Sequence, residues 1–156
     1  MKKLFVLICT TLLLAQPLFS AGYGSSDTSS SGSTGKDKKV DPFADVYKLI
    51  DLEKFTDAHN ALKLLNVPAK QADKYNLLGF TARKSGDLET AKSYYLRALE
   101  INPKHVGALE YQGELFLQLG KFAEAKQNLE KIQRICWLPC NEEKQLEEAI
   151  ELAQKN

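Results

Sequence analysis

Residues 75–103 decide the fold: Tyr75-Asn-Leu-Leu-Gly79-Phe-Thr-Ala82-Arg-Lys-Ser-Gly86-Asp-Leu-Glu-Thr-Ala91-Lys-Ser-Tyr-Tyr95-Leu-Arg-Ala98-Leu-Glu-Ile-Asn-Pro103. Apolar residues recur at helical spacing on both sides of Gly86, which predicts two helices joined by a turn. A glycine at that turn can take the left-handed conformation that stops the first helix. Gly79 lies inside that first helix. A glycine there costs about 1 kcal/mol against alanine, so close approach of the second helix is its expected reason.

The pattern recurs on either side. Lys54-Phe-Thr-Asp-Ala-His-Asn-Ala-Leu62 precedes it, and Lys121-Phe-Ala-Glu-Ala-Lys-Gln-Asn-Leu129 follows. Ala58, Ala91 and Ala125 are spaced 33 and 34 residues apart. A period of this size marks a solenoid of helix pairs. Gly113 and Gly120 occupy the places of Gly79 and Gly86 in the third unit.

Tyr75, Leu78, Gly79, Ala82, Ala91, Tyr95, Ala98 and Pro103 fall on the spacing of the tetratricopeptide repeat, and the sequence resembles that family over about residues 40–138. In the third unit the matching residues are Leu109, Gln112, Gly113, Phe116, Ala125, Leu129 and Ile132, with Trp137 in place of the proline. The first unit departs more: Val46 replaces the small glycine, Glu53 the turn glycine, and Pro68 comes early. Phe55, Ala58, Leu62 and Leu65 fit its second helix. The expected fold is all-α: three helix-turn-helix repeats, at about 39–71, 72–105 and 106–139, in a short right-handed solenoid.

The boundaries of this domain, residues 41–156, carry their own signals. Asp41 followed by Pro42 reads as a cap and a first helical residue. Asn102-Pro103 separates the second pair from the third. Beyond residue 140, Asn141 can cap a last helix over 141–155, with Glu142 and Glu143 at its positive end. Leu146, Ala149, Ile150 and Ala153 form one apolar stripe, as expected of a helix that covers the end of a solenoid.

The N-terminal 40 residues are of another kind. Lys2 and Lys3 precede an apolar run from Leu4 to Ala15, and small residues follow Pro17. This is the order of a secretory signal peptide over residues 1–22, cleaved after Gly22 or after Ser20. The run is too short to span a bilayer core, which needs about 20 residues. Residues 23–40 read as a disordered tether, since 12 of the 14 residues from Gly22 to Gly35 are Gly, Ser or Thr.

The whole chain has 156 residues, with 21 basic and 20 acidic side chains and a net charge of +1. No basic excess is present to neutralise a phosphate backbone, so nucleic-acid binding is not expected. No catalytic constellation, metal-ligand motif or phosphate loop stands out, and no cofactor is implied. His59 and His105 are far apart and read as surface residues. Cys9 leaves with the leader. Cys136-Trp-Leu-Pro-Cys140 then keeps an even pair, read as a disulfide clip between two helices, or alternatively as a redox-active or redox-sensing pair.

The order of leader, low-complexity stretch, repeats, cysteine pair and final acidic helix resembles a group of small exported bacterial tetratricopeptide proteins. The resemblance implies a periplasmic or secreted location, no enzymatic activity, and another protein or peptide segment as partner. In the family, the first helices of the pairs line a concave peptide groove. Carried over, the groove residues are Phe43, Tyr47 and Ile50 in the first unit. They are Asn76, Phe80, Arg83 and Lys84 in the second, and Glu110, Glu114 and Leu117 in the third. Arg83 and Lys84 would favour an acidic stretch in the partner, although the family's carboxylate-clamp pattern is absent.

Overall fold

The computed structural model describes residues 41–155; the leader and the tether lie outside them. The described residues form seven α-helices and no strand: α1 Ala44–Asp51, α2 Phe55–Leu64, α3 Gln71–Lys84, α4 Leu88–Ile101, α5 Val106–Gln118, α6 Phe122–Ile135 and α7 Asn141–Lys155. A 3-10 turn at Pro68–Lys70 leads into α3. Helices pack on their sequence neighbours: α1 on α2, α2 on α3, α3 on α4, α4 on α5, and α5 on α6. The result is an all-α helical repeat solenoid, and α7 closes it against both α5 and α6.

Each helix pair is joined by the same turn. In the second, the Gly86 amide donates to the Arg83 carbonyl at 3.0 Å and the Asp87 amide to the Ala82 carbonyl at 3.0 Å. The first and third turns make the matching bonds, Glu53 to Ile50 with Lys54 to Leu49, and Gly120 to Leu117 with Lys121 to Phe116. This is the Schellman arrangement, which satisfies the last carbonyls of a helix and needs a left-handed residue. That residue is Gly86 at φ 87° and Gly120 at φ 71°, but Glu53 at φ 56° in the first turn.

The mid-helix glycines have packing reasons, though not the same one. A Cβ at Gly79 would lie 2.5 Å from the ring of Tyr95, a fully buried side chain on α4, as the sequence led one to expect. At Gly113 the obstacle is not the paired helix α6. It is Leu146 of α7, whose methyl carbons would lie 2.6 and 2.7 Å away. The end-covering helix is therefore keyed into α5 by a leucine seated on a glycine. Leu146 and Ile150 are both buried, in one cluster with Leu109, Ala125 and Ile132.

Two helix starts differ from expectation. The Asp41 side chain accepts from the Phe43 amide at 3.3 Å and its carbonyl from Ala44 at 3.1 Å. Asp-Pro thus makes a lead-in turn, and α1 begins at Ala44. Asn141 is the first residue of α7 rather than a residue ahead of it.

Candidate functional site

The first helices of the three pairs, with α7 as a further wall, enclose a groove. Its wide end is a cavity of about 530 Å³ lined by Phe43 and Tyr47 from the α1 end, Asp73 and Asn76 from α3, Gly107, Glu110 and Tyr111 from α5, and Glu142 and Gln145 from α7. A second cavity of about 320 Å³ is lined by Phe80, Arg83, Lys84, Glu114, Glu148 and Leu152. Glu110, Tyr111 and Gln145 line both, so the two are parts of one groove.

An ion pair crosses the narrow part. The Arg83 guanidinium pairs with the Glu114 carboxylate, and its Nε donates to Tyr95 Oη at 3.4 Å. It lies over the rings of Phe80 and Tyr111, with its Cζ 5.8 and 5.9 Å from the ring centres. The Arg83 side chain is only 5% exposed. A buried cation needs such partners, because removing one would leave an uncompensated charge away from water. Lys84, one residue on, is exposed and sits 5.6 Å from the Phe55 ring centre and 5.9 Å from that of Phe80.

Glu110 stands between the two cavities and is 2% exposed. Burial pushes its carboxyl up to about 8, and the nearby Glu114 and Glu142 push the same way while Arg83 opposes. Glu110 is therefore a neutral acid near pH 7. Burial, with help from Glu110 and Glu114, also raises the Tyr111 hydroxyl to about 12.

The two histidines, read from the sequence as surface residues, are half-buried, and each ring has a defined partner. His105 Nδ1 accepts from the Ala108 amide at 3.1 Å and caps α5. Its proton then sits on Nε2, which donates to Asp73 Oδ1 at 3.0 Å and ties α5 to α3 at the cavity. His59 Nδ1 meets Thr81 Oγ1 at 3.0 Å, and its ring lies against Tyr94. Burial lowers the His59 pKa.

These features place the chain beside known sequences. Residues 72–105, which hold α3 but for its first residue and all of α4, match a tetratricopeptide repeat model, and residues 94–127 match a second model of the same repeat. The segment 72–127 carries tetratricopeptide repeats. An uncharacterized protein, ycf37, of Pyropia yezoensis is 33% identical over 61 residues, 39% of this chain. That match covers 34% of the relative's own length.

On the tetratricopeptide frame, the groove residues read from the sequence divide into three sets. Tyr47, Asn76, Glu110, Phe80, Lys84 and Glu114 line the two cavities, and Leu117 lines a third, of about 460 Å³, which shares Arg83, Glu114 and Leu152 with the second and so continues the groove. Phe43 reaches the wide cavity but is 1% exposed and belongs to the apolar core with Val46 and Leu62. Ile50 packs against that same core. Arg83 faces the groove with its charge neutralised by Glu114, which removes the reason for an acidic partner at this point.

The groove residues read from the sequence do not include Asp73, His105, Tyr111 or the inner edge of α7 formed by Glu142, Gln145, Glu148 and Leu152. Tyr111 could have been found, since it follows Glu110 on a helix already assigned to the groove. His105 gave no signal, because imidazole is an uncommon helix cap. Cys136 and Cys140 lie at disulfide distance, with Cα atoms 6.1 Å apart, and join α6 to α7. Both pack against the Leu109, Ile132 and Leu146 cluster. Among the described residues, no three His, Cys, Asp or Glu cluster as metal ligands would, and no helix is long and apolar enough to cross a membrane.

Proposed function

We propose that this chain is an exported, non-enzymatic interaction module that holds a peptide segment of another protein in its tetratricopeptide groove. The observation that carries the reading is the continuous groove from Tyr47 to Leu117. It combines aromatic surface at Tyr47, Phe80 and Tyr111 with polar groups at Asn76, Lys84 and Glu114. Apolar contact with a few placed polar groups is the usual composition of a ligand site. The repeats support protein binding as the class of activity. The leader-like N-terminus supports export to a bacterial periplasm or beyond. The Cys136–Cys140 pair acts as a clip on α7, in keeping with its place against the core.

The test is a crosslinking pull-down from the cell envelope. The double variant Tyr47→Ser with Lys84→Glu changes the groove at two exposed points, and a circular dichroism melt checks that loss of the Tyr47 ring contact with Phe43 leaves the fold intact. Lys126→Glu, on exposed surface of α6, is the control. The double variant should lose the proteins that wild type and the control capture. Recovery of the same set by all three would refute the groove as the binding surface.

A further inference from the structure

We infer that the wide end of the groove seats a cationic side chain, lysine or arginine, from a basic segment of the partner protein. This rests on the groove reading and names the chemistry of its occupant.

The first observation is an acceptor without a donor. Asn76 lines the wide cavity and is 7% exposed, and its Oδ1 has no hydrogen-bond partner. A buried amide oxygen left unpaired is costly, so such an atom in a cavity wall marks the place where a ligand donates. The second is the balance of charge. Asp73, Glu110 and Glu142 line the same cavity. Of its two lysines, Lys70 is held by Asp41 at 3.2 Å and lies 5.5 Å from the Phe43 ring centre, while Lys104 is exposed. Arg83, the nearest buried cation, is taken by Glu114. With Asp73 engaged by His105 Nε2, Glu110 and Glu142 remain as open carboxyl groups against one open cation, the exposed Lys104, so acceptors still outnumber free donors at this end. The third is the aromatic wall. Tyr47 and Tyr111 line the cavity, and a cation on an aliphatic stem gains from ring faces as well as from carboxylates.

The raised Glu110 carboxyl agrees with this. Buried beside Glu114 and Glu142, it stays neutral for want of a positive neighbour strong enough to hold it ionised. A seated cation would supply that neighbour.

Fluorescence anisotropy with three labelled peptides of equal length decides the matter. Each is built from Leu, Ser and Gly and carries paired arginines, paired lysines or paired glutamates. The arginine and lysine peptides should bind at low salt, and more weakly as salt rises. Asn76→Leu and, separately, Glu142→Lys should each weaken them by about ten-fold, the loss expected for one charge-assisted contact. Circular dichroism melts confirm that both variants are folded. Glu142→Lys lies at a partly exposed position, so it keeps the test open if Asn76→Leu does not fold. Preference for the glutamate peptide, binding of none of the three, or unchanged affinity in the folded variants would overturn the inference. None of these results touches the groove reading, which stands or falls on the pull-down.

Discussion

The first helix pair and the second adopt one turn and one mode of packing with different residues. Where α3 has Gly79 under the Tyr95 ring, α1 has Val46, and the residue of α2 that corresponds to Tyr95 is Leu62. Both Val46 and Leu62 are buried in the same apolar cluster. The exchange trades a glycine and a ring for two branched aliphatics, so the space between the helices is kept while its division changes. The first pair is also shorter, with helices of 8 and 10 residues against 14 and 14. It has no side-chain cap on α2, whereas Asp87 caps α4 through the Thr90 amide at 3.1 Å. The two pairs teach that the repeat constrains shared volume and turn geometry, not the residue at each position.

The sharpest way to break this comparison is to move half of it. Gly79→Val alone would drive methyl groups into the Tyr95 ring, because even a Cβ would lie 2.5 Å from it. We expect a loss of about 3 kcal/mol, at the upper end for overpacking with a β-branched residue. Adding Tyr95→Leu reproduces the pairing of the first unit and should recover much of the loss. Thermal or urea unfolding of the two single variants and the double variant gives the coupling directly. If the single changes simply add, volume exchange is not what relates the two pairs.

Most of the fold was legible in the sequence because the repeat writes it three times. Gly86 and Gly120 mark turns, and Ala58, Ala91 and Ala125, all fully buried, mark the close crossings. Less of the site was legible. Helical periodicity assigns a residue to a face but does not say what crosses the face from another helix. Arg83 was readable as a groove cation, yet its neutralisation by Glu114 depends on how α3 meets α5, 31 residues away. Gly113 was readable as a close approach, yet the approaching group is Leu146 of α7, outside the repeat. Periodicity placed α7 as a cover, and only its seating on α5 makes it a groove wall as well.

The pairs differ also in what they bury. The helices α1 and α2 bury only apolar side chains, while Arg83 and Glu110 are buried farther along the chain. The buried carboxyl on α5 should therefore link stability to pH. The Glu110 carboxyl rises from about 4.5 to about 8 on folding. Its contribution is full below the unfolded value, because both states are then protonated. It declines as pH climbs through this interval, because the unfolded chain releases the proton first. Glu110→Gln should remove this decline and stabilise the protein at about pH 8 by on the order of 2 kcal/mol. Melting temperatures of wild type and variant at about pH 5 and about pH 8 check it. Equal slopes in the two proteins would show that Glu110 titrates as an ordinary surface acid.

The smallest effect concerns the turn itself. Glu53, Gly86 and Gly120 hold the same two backbone hydrogen bonds, but only Glu53 carries a side chain at positive φ. The left-handed conformation costs a side-chain-bearing residue about 1–2 kcal/mol, part of which glycine gives back through its greater freedom when unfolded. Glu53→Gly should therefore stabilise by about 0.5–1 kcal/mol, a rise in melting temperature of about 2–4 °C. The reciprocal Gly86→Glu should cost a similar amount. A Cβ at Gly86 meets nothing within 4 Å, so the backbone alone is being tested there. Measured together, the two substitutions ask whether the turns are as alike in energy as in geometry. A gain at Glu53 matched by a loss at Gly86 says that they are. No gain at Glu53 would mean that the shorter first pair yields at its turn and relieves the strain there.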